Sequence, residues 1–413
     1  LINYAVYWLR CIRCALSGDW KYYLWTAFLA VLVAIGVSAY VDQFRYGLVV
    51  TNLSNQVSWG AYIANFTFLV GVAAAAVLLV FPTYVLHRKD VKQVVLLGEL
   101  LAFAAIVMCL LFIMVDLGRP DRFTHILPGL GRLNFPRSVL AWDVLVLNGY
   151  LILNLHVPGY LLYMKYKGRE PNTWLYLPFV LTSIAWAVSI HTVTAFLYSG
   201  LGGRPFWNTA VLAPRFLVSA FAGGPAILYV VFSLVTKYSR LRVNQSVFAL
   251  LKQMLQVFLP INLFLFFCEI FKEFYTDNSH TISMRYLFFG VHGHAMLRPF
   301  IWASLAMSAT ALVILFVRRL SAKPALFYLA CGCVVVGIWI EKGMGLIIPG
   351  FIPTPLGDWV EYTPSTAEIA ICLGIWALGA LIFTVLAKVA IAIEVGDLRE
   401  ERDERPIPLP AKA

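Results

Sequence analysis

Apolar runs of about twenty residues or more alternate with short polar segments rich in glycine, proline and charge along the whole chain. A run of that length crosses a bilayer core as a helix. Ten are found, at about 22–41, 57–85, 94–117, 138–164, 175–199, 210–236, 247–276, 295–317, 325–347 and 366–394. Several exceed the minimum, which predicts tilted helices or helix ends buried among loops. The weak two-residue alternation of a membrane β-barrel is missing. The pattern predicts an all-α, polytopic membrane protein: an interfacial segment over 1–20, one transmembrane domain over 21–396 and a short charged tail over 397–413. In the first segment Tyr4, Trp8 and Trp20 suit headgroup level, and Arg10 and Arg13 suit anionic lipid.

Composition agrees: 61% of residues are hydrophobic and 13% charged, about half the charged share of a soluble domain. The net charge of +11 would favour nucleic acid if it formed a patch, but it sorts by side of the membrane instead. Nineteen Lys and Arg residues fall in the terminal segments and every second loop, against seven in the alternate loops. Positive residues gather on the cytoplasmic side, so both termini are expected in the cytoplasm and no nucleic-acid partner is expected. One outer loop, carrying Arg119, Arg122, Arg132 and Arg137, breaks the trend and reads as a docking or ligand-gating surface. Of seven cysteines, five lie in apolar helices as small packing residues. Cys11 and Cys14 form a lone C-x-x-C without the further ligands of a zinc or iron–sulfur site.

The rare polar residues inside the apolar runs are the candidate chemistry. Ionisable side chains in a membrane helix are costly and default to a functional reading. Counting inward from the predicted outer helix ends at 1.5 Å per residue, Asp143, His191, Glu269 and Glu341 lie at about 8–12 Å, on four different helices. Asp116 and Arg215 sit just above them. Thr194 and Tyr198 share the face of His191 at i+3 and i+7. Glu269, Lys272 and Glu273 read as an internally neutralised ladder, and Gly223, Gly224 and Pro225 as a permitted kink. His292 and His294 begin no recognisable metal site, since further ligands are missing nearby. Glu99, Asn154 and His156 occupy the inner half of the third and fourth spans, a spacing that would suit a proton route from the cytoplasm.

A titratable histidine beside carboxylates, in an apolar bundle open to lipid, suits a quinone as substrate. Its oxygens need hydrogen-bond partners, and its reduction needs protons delivered with the electrons. Histidine is the side chain best matched to that exchange near neutral pH. No redox centre is identifiable in the chain, neither haem nor metal, so electrons are expected from a partner protein at the outer face.

Several segments carry a family resemblance: SWGAYIANFTFLVG, DLGRPDRF, SIHTVTAFLYSGLGGRPFWN with PRFLVSAF, CEIFKEFY, and IEKGMGLIIPGFIPTPLGDWVEYTP. They resemble the NrfD family of cofactor-free, quinone-interacting membrane subunits. The likeness is nearest to the ten-helix branch of the quinone reductase and sulfite-reduction-linked complexes of sulfate reducers and of alternative complex III. The resemblance implies two four-helix bundles, spans two to five (57–199) and six to nine (210–347), flanked by the first and tenth spans. It implies menaquinone, a periplasmic iron–sulfur ferredoxin-like partner and a further multihaem or molybdopterin-type subunit. It also implies a bacterial or archaeal cytoplasmic membrane. By resemblance His191 is the quinone-proximal histidine, and Asp116 and Asp143 belong to its pocket or proton supply, with Arg215 and Tyr198 beside them. By the same resemblance Glu269 and Glu341 fall in the second bundle, as a proton-conducting route; the cytoplasmic route through Glu99 and His156 is a separate expectation read from their spacing.

Three other readings compete. A haem b protein needs two histidines facing each other across the bundle, and only His156 and His191 lie well inside helices, at different depths. A transporter would use His191 and the carboxylates as a relay, without dependence on an electron donor. A passive anchor would need no ionisable groups at matched depth.

Overall fold

The computed structural model describes residues 2–127, 129–277 and 281–400. The charged tail expected over 397–413 therefore lies largely outside the described residues. In chain order the helices are α1 (Ile2–Leu16), α2 (Trp20–Tyr46), α3 (Ala61–Ala74), α4 (Val77–Tyr84), α5 (Lys92–Asp116), α6 (Val139–Tyr166), α7 (Thr173–Ser199) and α8 (Leu212–Tyr238). They continue as α9 (Gln245–Thr276), α10 (Thr281–Phe288), α11 (Arg298–Phe316), α12 (Arg318–Ser321), α13 (Pro324–Lys342), α14 (Met344–Ile347) and α15 (Thr366–Val395). Among the described residues ten segments are long and apolar enough to cross a membrane. Two are composite: α3 runs into α4, and α13 runs through α14 to Phe351.

Local sequence explains most boundaries. Asp19, Ser138, Asn172 and Asn244 each cap a helix start by accepting a backbone N–H. Ser365 and Glu368 form a reciprocal capping box on α15. Gly396 ends α15 at φ +84°, in the left-handed region.

The centre of the molecule is α3. All its residues are buried, as expected for a helix that is apolar on every side, and it packs against α5, α7, α8, α13 and α15. Its small residues set those approaches. A Cβ on Gly71 would meet Ala220 of α8, and one on Gly224 would lie 2.3 Å from the Ala75 Cβ. The helix α8 runs unbroken through Gly223, Gly224 and Pro225; Gly224 makes room for the α3–α4 segment. Around this centre α5 packs on α3, α6 on α7, α8 on α9 and α11 on α13. On one flank α2 and α15 lie together, with Gly36 against Gly374 backbone to backbone.

The two faces of the bundle differ. The terminal face carries α1 and the end of α15, tied to α6 by the 2.5 Å Lys165–Glu394 pair. There Tyr7 and Cys11 are buried while Trp8 and Trp20 are exposed. Burial holds the Cys11 and Cys14 thiols above their ordinary range, which leaves them poor nucleophiles. The opposite, loop face is covered by the proline-rich segment after α14: Phe351 and Ile352 are buried, and the Ile352 carbonyl accepts from Ser283 at 2.6 Å. There His294 pairs with Glu361 at 3.3 Å and stacks on Trp359.

Candidate functional site

Two polar clusters lie inside the apolar bundle. The first is built on α6 and α7. His191 is wholly buried, and its Nδ1 lies 3.3 Å from the Ala187 carbonyl one turn earlier. A carbonyl only accepts, so that contact requires the proton on Nδ1. The neutral ring is thereby left with Nε2 as an acceptor, and Nε2 has no partner among the described residues. Asp143 is buried as well; its Oδ1 meets the Thr194 hydroxyl at 2.9 Å and its Oδ2 is unpartnered.

Thr194 makes this pairing tolerant of either charge state. Its hydroxyl also lies 2.7 Å from the Ile190 carbonyl, yet it has one hydrogen to give. With Asp143 ionised, the hydroxyl donates to the carboxylate. With Asp143 protonated, the hydroxyl donates to Ile190 and accepts from the carboxyl O–H. Asp143 can therefore gain or lose a proton without stranding its neighbour.

One turn further along α7, the Tyr198 hydroxyl meets Thr67 of α3 at 2.5 Å. Tyr198 joins Trp59, Trp207 and Phe351 in an aromatic cluster with ring centroids 5.1–5.9 Å apart. Trp207 is fully buried and donates to the Leu346 carbonyl at 2.8 Å. These rings close the site toward the loop face. Asp116, at the end of α5, lies within electrostatic range of Tyr198 and Tyr62, and one of its oxygens is buried without a partner. It makes no pair with Arg119, which binds Asp121 at 2.8 Å.

The second cluster holds Arg215. Arg215, expected beside the His191 pocket, has its guanidinium bound to Glu341 through Nε and Nη2, at 3.2 and 2.9 Å, and to Glu269 through Nη1. The geometry follows from α8, which turns Arg215 toward α9 and α13. Asn262 donates to Glu341 at 3.3 Å. The predicted ladder on α9 is broken accordingly: Glu269 points inward to Arg215, and Lys272 pairs with Glu273 at 2.9 Å. A pocket lined by Phe206, Thr209, Arg215, Glu269, Lys272 and Glu273 connects this cluster with the exposed Lys272.

The remaining candidates stand apart. Glu99 is 3% exposed with one unpartnered oxygen, in electrostatic range of Tyr84 and Tyr150. His156 is exposed on α6, its Nε2 3.2 Å from the Leu175 carbonyl and its ring against Phe179. It therefore faces neither Glu99 nor His191, although Asn154 beside it is buried. Among the described residues no three His, Cys, Asp or Glu side chains gather as a metal site.

Sequence reasoning missed Asn262, Thr67, Trp59 and Trp207. Asn262 stands seven residues before Glu269, on the same helix face, and was findable. Trp207 sits in a loop, where no periodicity points to it.

The sequence profile of the family described as "Polysulphide reductase, NrfD" matches residues 49–353. The chain belongs to the NrfD family. With its ten apolar spans, this NrfD chain is a multi-pass integral membrane protein. It is similar to a selenate reductase subunit of Mesobacillus selenatarsenatis, 24% identical over 88% of this chain and 92% of that one. It is also similar to the Hdr-like menaquinol oxidoreductase integral membrane subunit of Archaeoglobus fulgidus, 22% identical over 93% and 97%. A third relative is the menaquinone reductase integral membrane subunit of Nitratidesulfovibrio vulgaris, 24% identical over 91% and 92%. All three alignments cover nearly the full length of the NrfD chain, and so span the helices that carry its two polar clusters.

Proposed function

We propose that this NrfD chain is the quinone-binding membrane subunit of an oxidoreductase complex, exchanging electrons between an iron–sulfur partner at the loop face and menaquinone. The observation that carries the reading is that two packed helices, α7 and α6, each bury an unpartnered polar atom, His191 Nε2 and Asp143 Oδ2. Such orphans are expensive in an apolar bundle, and as acceptors they match the hydroxyl groups of a quinol headgroup. Two relatives named for menaquinone and menaquinol support the choice of substrate.

The chain's residues would work as follows. His191 is held by the Ala187 carbonyl with Nε2 free to take a proton from a quinol hydroxyl; protonated there, it gives the proton back to a quinone oxygen. Asp143, steadied by Thr194 in either charge state, holds the second proton. Asp116 and Tyr198 lie within electrostatic reach of the site, and the aromatic cluster keeps bulk water out. His191 is enclosed, so admission of a headgroup requires its neighbours to move aside.

The same reading assigns residues 57–199 and 210–347 to two four-helix units, supported by the α3–α5, α6–α7, α8–α9 and α11–α13 contacts. It places both termini in the cytoplasm of a bacterial or archaeal cell, as the sorting of Lys and Arg favours. A ferredoxin-like iron–sulfur subunit, and behind it a multihaem or molybdopterin-type subunit, would carry the electrons. Glu99, Glu269 and Glu341 are the groups suited to a proton path; the outward placement of His156 gives it no part.

The test is donor-to-quinone turnover by the purified complex carrying His191→Ala. Loss of a proton-transfer group predicts a fall of at least about 10²-fold while the partner subunits stay assembled and reducible. Unchanged turnover would show that the histidine is structural and return the transporter and anchor readings to the front.

A further inference from the structure

Helix α1 takes no part in either polar cluster, and it crosses the bundle in a different direction from the spans. In its first half the Tyr7 ring lies 5.0 Å from Tyr163 and 4.9 Å from Tyr166, at the end of α6. At its own end the Ala15 and Leu16 carbonyls accept from the Tyr22 and Tyr23 hydroxyls of the first turn of α2, at 2.7 and 2.9 Å. Lys388 of α15 donates to the Ser17 carbonyl just beyond. Between these anchors Arg10 donates to the Arg399 carbonyl at 3.1 Å. All of these partners belong to the terminal face. Ten residues separate Tyr7 from Ser17, about 15 Å of helix, so α1 runs across the ends of α6, α15 and α2 rather than along them.

The sides of α1 differ in chemistry. Tyr7 and Cys11 face the bundle and are buried. Trp8, Ile12 and Leu16, at i, i+4 and i+8, form with Leu9 an apolar side that is 50–71% exposed. Arg13 follows Leu9 at i+4 and is exposed, and no acid occurs between Ile2 and Leu16. Just past the turn Trp20 is 69% exposed, and the Lys21 ammonium lies 5.8 Å from the centre of its ring. Asp19, the acid of that turn, is taken up in capping α2 at the Tyr22 N–H.

The position of the exposed side says what covers it. Three residues after α1 ends, α2 begins as a membrane span, which holds α1 at the membrane surface. The spans it crosses, α2, α15 and α6, leave most of their apolar length unburied and so open to lipid. Trp and Leu on one side of an in-plane helix, with arginine beside them, suit the boundary between acyl chains and headgroups. Basic side chains with no opposing acid suit the phosphates of an anionic leaflet.

We propose that α1 is an in-plane binding element for anionic phospholipid, which holds headgroup phosphates through Arg13 and Lys21 and fastens the ends of α6 and α15 to the leaflet. The inference is independent of the quinone reading of the His191 site.

The experiment follows amide hydrogen exchange of residues 2–16 in the intact complex, in nanodiscs of phosphatidylcholine alone or with phosphatidylglycerol added. A ligand that binds only the docked helix lowers the population of its open form. Each basic side chain near an anionic surface strengthens binding about fivefold, so two should slow exchange of α1 by about 25-fold when phosphatidylglycerol is present. The buried α3 should not respond. Arg13→Gln with Lys21→Gln should remove the difference between the two lipids, and Arg13→Lys, which keeps the charge, should retain it. Should the double variant fail to assemble, each single Gln variant decides, with an expected loss of about fivefold. Equal exchange in both lipids overturns the proposal, as does a difference that survives the Gln substitutions. Equal slowing by inorganic phosphate in phosphatidylcholine nanodiscs would identify a free-anion site and overturn it. Protection that is the same in either lipid and vanishes when the partner subunits are stripped away would identify a protein surface and overturn it as well.

Discussion

At the scale of single residues, the site depends on how few hydrogens there are to share. The one hydrogen of Thr194 serves two acceptors. Thr194→Val keeps the volume and removes the switch. A lost hydrogen bond to a charged group is worth about 1.5–3 kcal/mol; quinone turnover should therefore fall roughly tenfold and its pH profile should move, with assembly retained. An unchanged profile would mean that Asp143 does not titrate during turnover. In the other cluster Glu341 is one of two anions on Arg215. Removing one partner of a buried ion pair costs about 3–5 kcal/mol, so Glu341→Ala should lower the thermal unfolding temperature of the detergent-solubilised complex markedly. A smaller effect for Glu341→Gln, which can still accept from Arg215, would separate the lost hydrogen bonds from the lost charge. The sequence made these groups visible as ionisable residues at a common depth. It could not assign Arg215 to its cluster, because depth along a helix is legible in one dimension while the direction of a side chain depends on which neighbour the helix turns toward.

At the scale of elements, small residues decide which helices touch. The Gly224–Ala75 contact leaves no room for a side chain. Overpacking costs about 1–3 kcal/mol and often more where backbones meet, so Gly224→Leu should part α8 from α3 and reduce the yield of folded protein, as measured by size-exclusion chromatography in detergent. A normal elution profile and melting temperature would show that the two helices separate at no cost. The ten spans were legible from their length alone, and the sequence shows Gly71 and Ala75 as small residues in the second span. The partners of those residues were not legible. Gly223, Gly224 and Pro225 read as a permitted kink; α8 continues through them, and Gly224 leaves room for its neighbour. Asn65 was equally silent in the sequence: its Oδ1 accepts from both Trp339 of α13 and Trp376 of α15, a three-helix link that joins residues far apart in the chain.

At the scale of the whole molecule, the two clusters and Glu99 sit in three separate places, and proton movement would have to link them. The complex reconstituted into liposomes should build a membrane potential during quinone turnover, and Glu99→Gln should reduce that potential more than it reduces turnover. A native complex that turns over without a potential would remove Glu99, Glu269 and Glu341 from any route. The flank of the molecule makes a different demand, on the order of events during synthesis. Two spans far apart in the chain, α2 and α15, are partners at Gly36 and Gly374, so α2 leaves the ribosome long before its neighbour exists. Until then its glycine face meets lipid, and a chain truncated before Thr366 would carry an unmatched helix that the cell's membrane proteases can recognise.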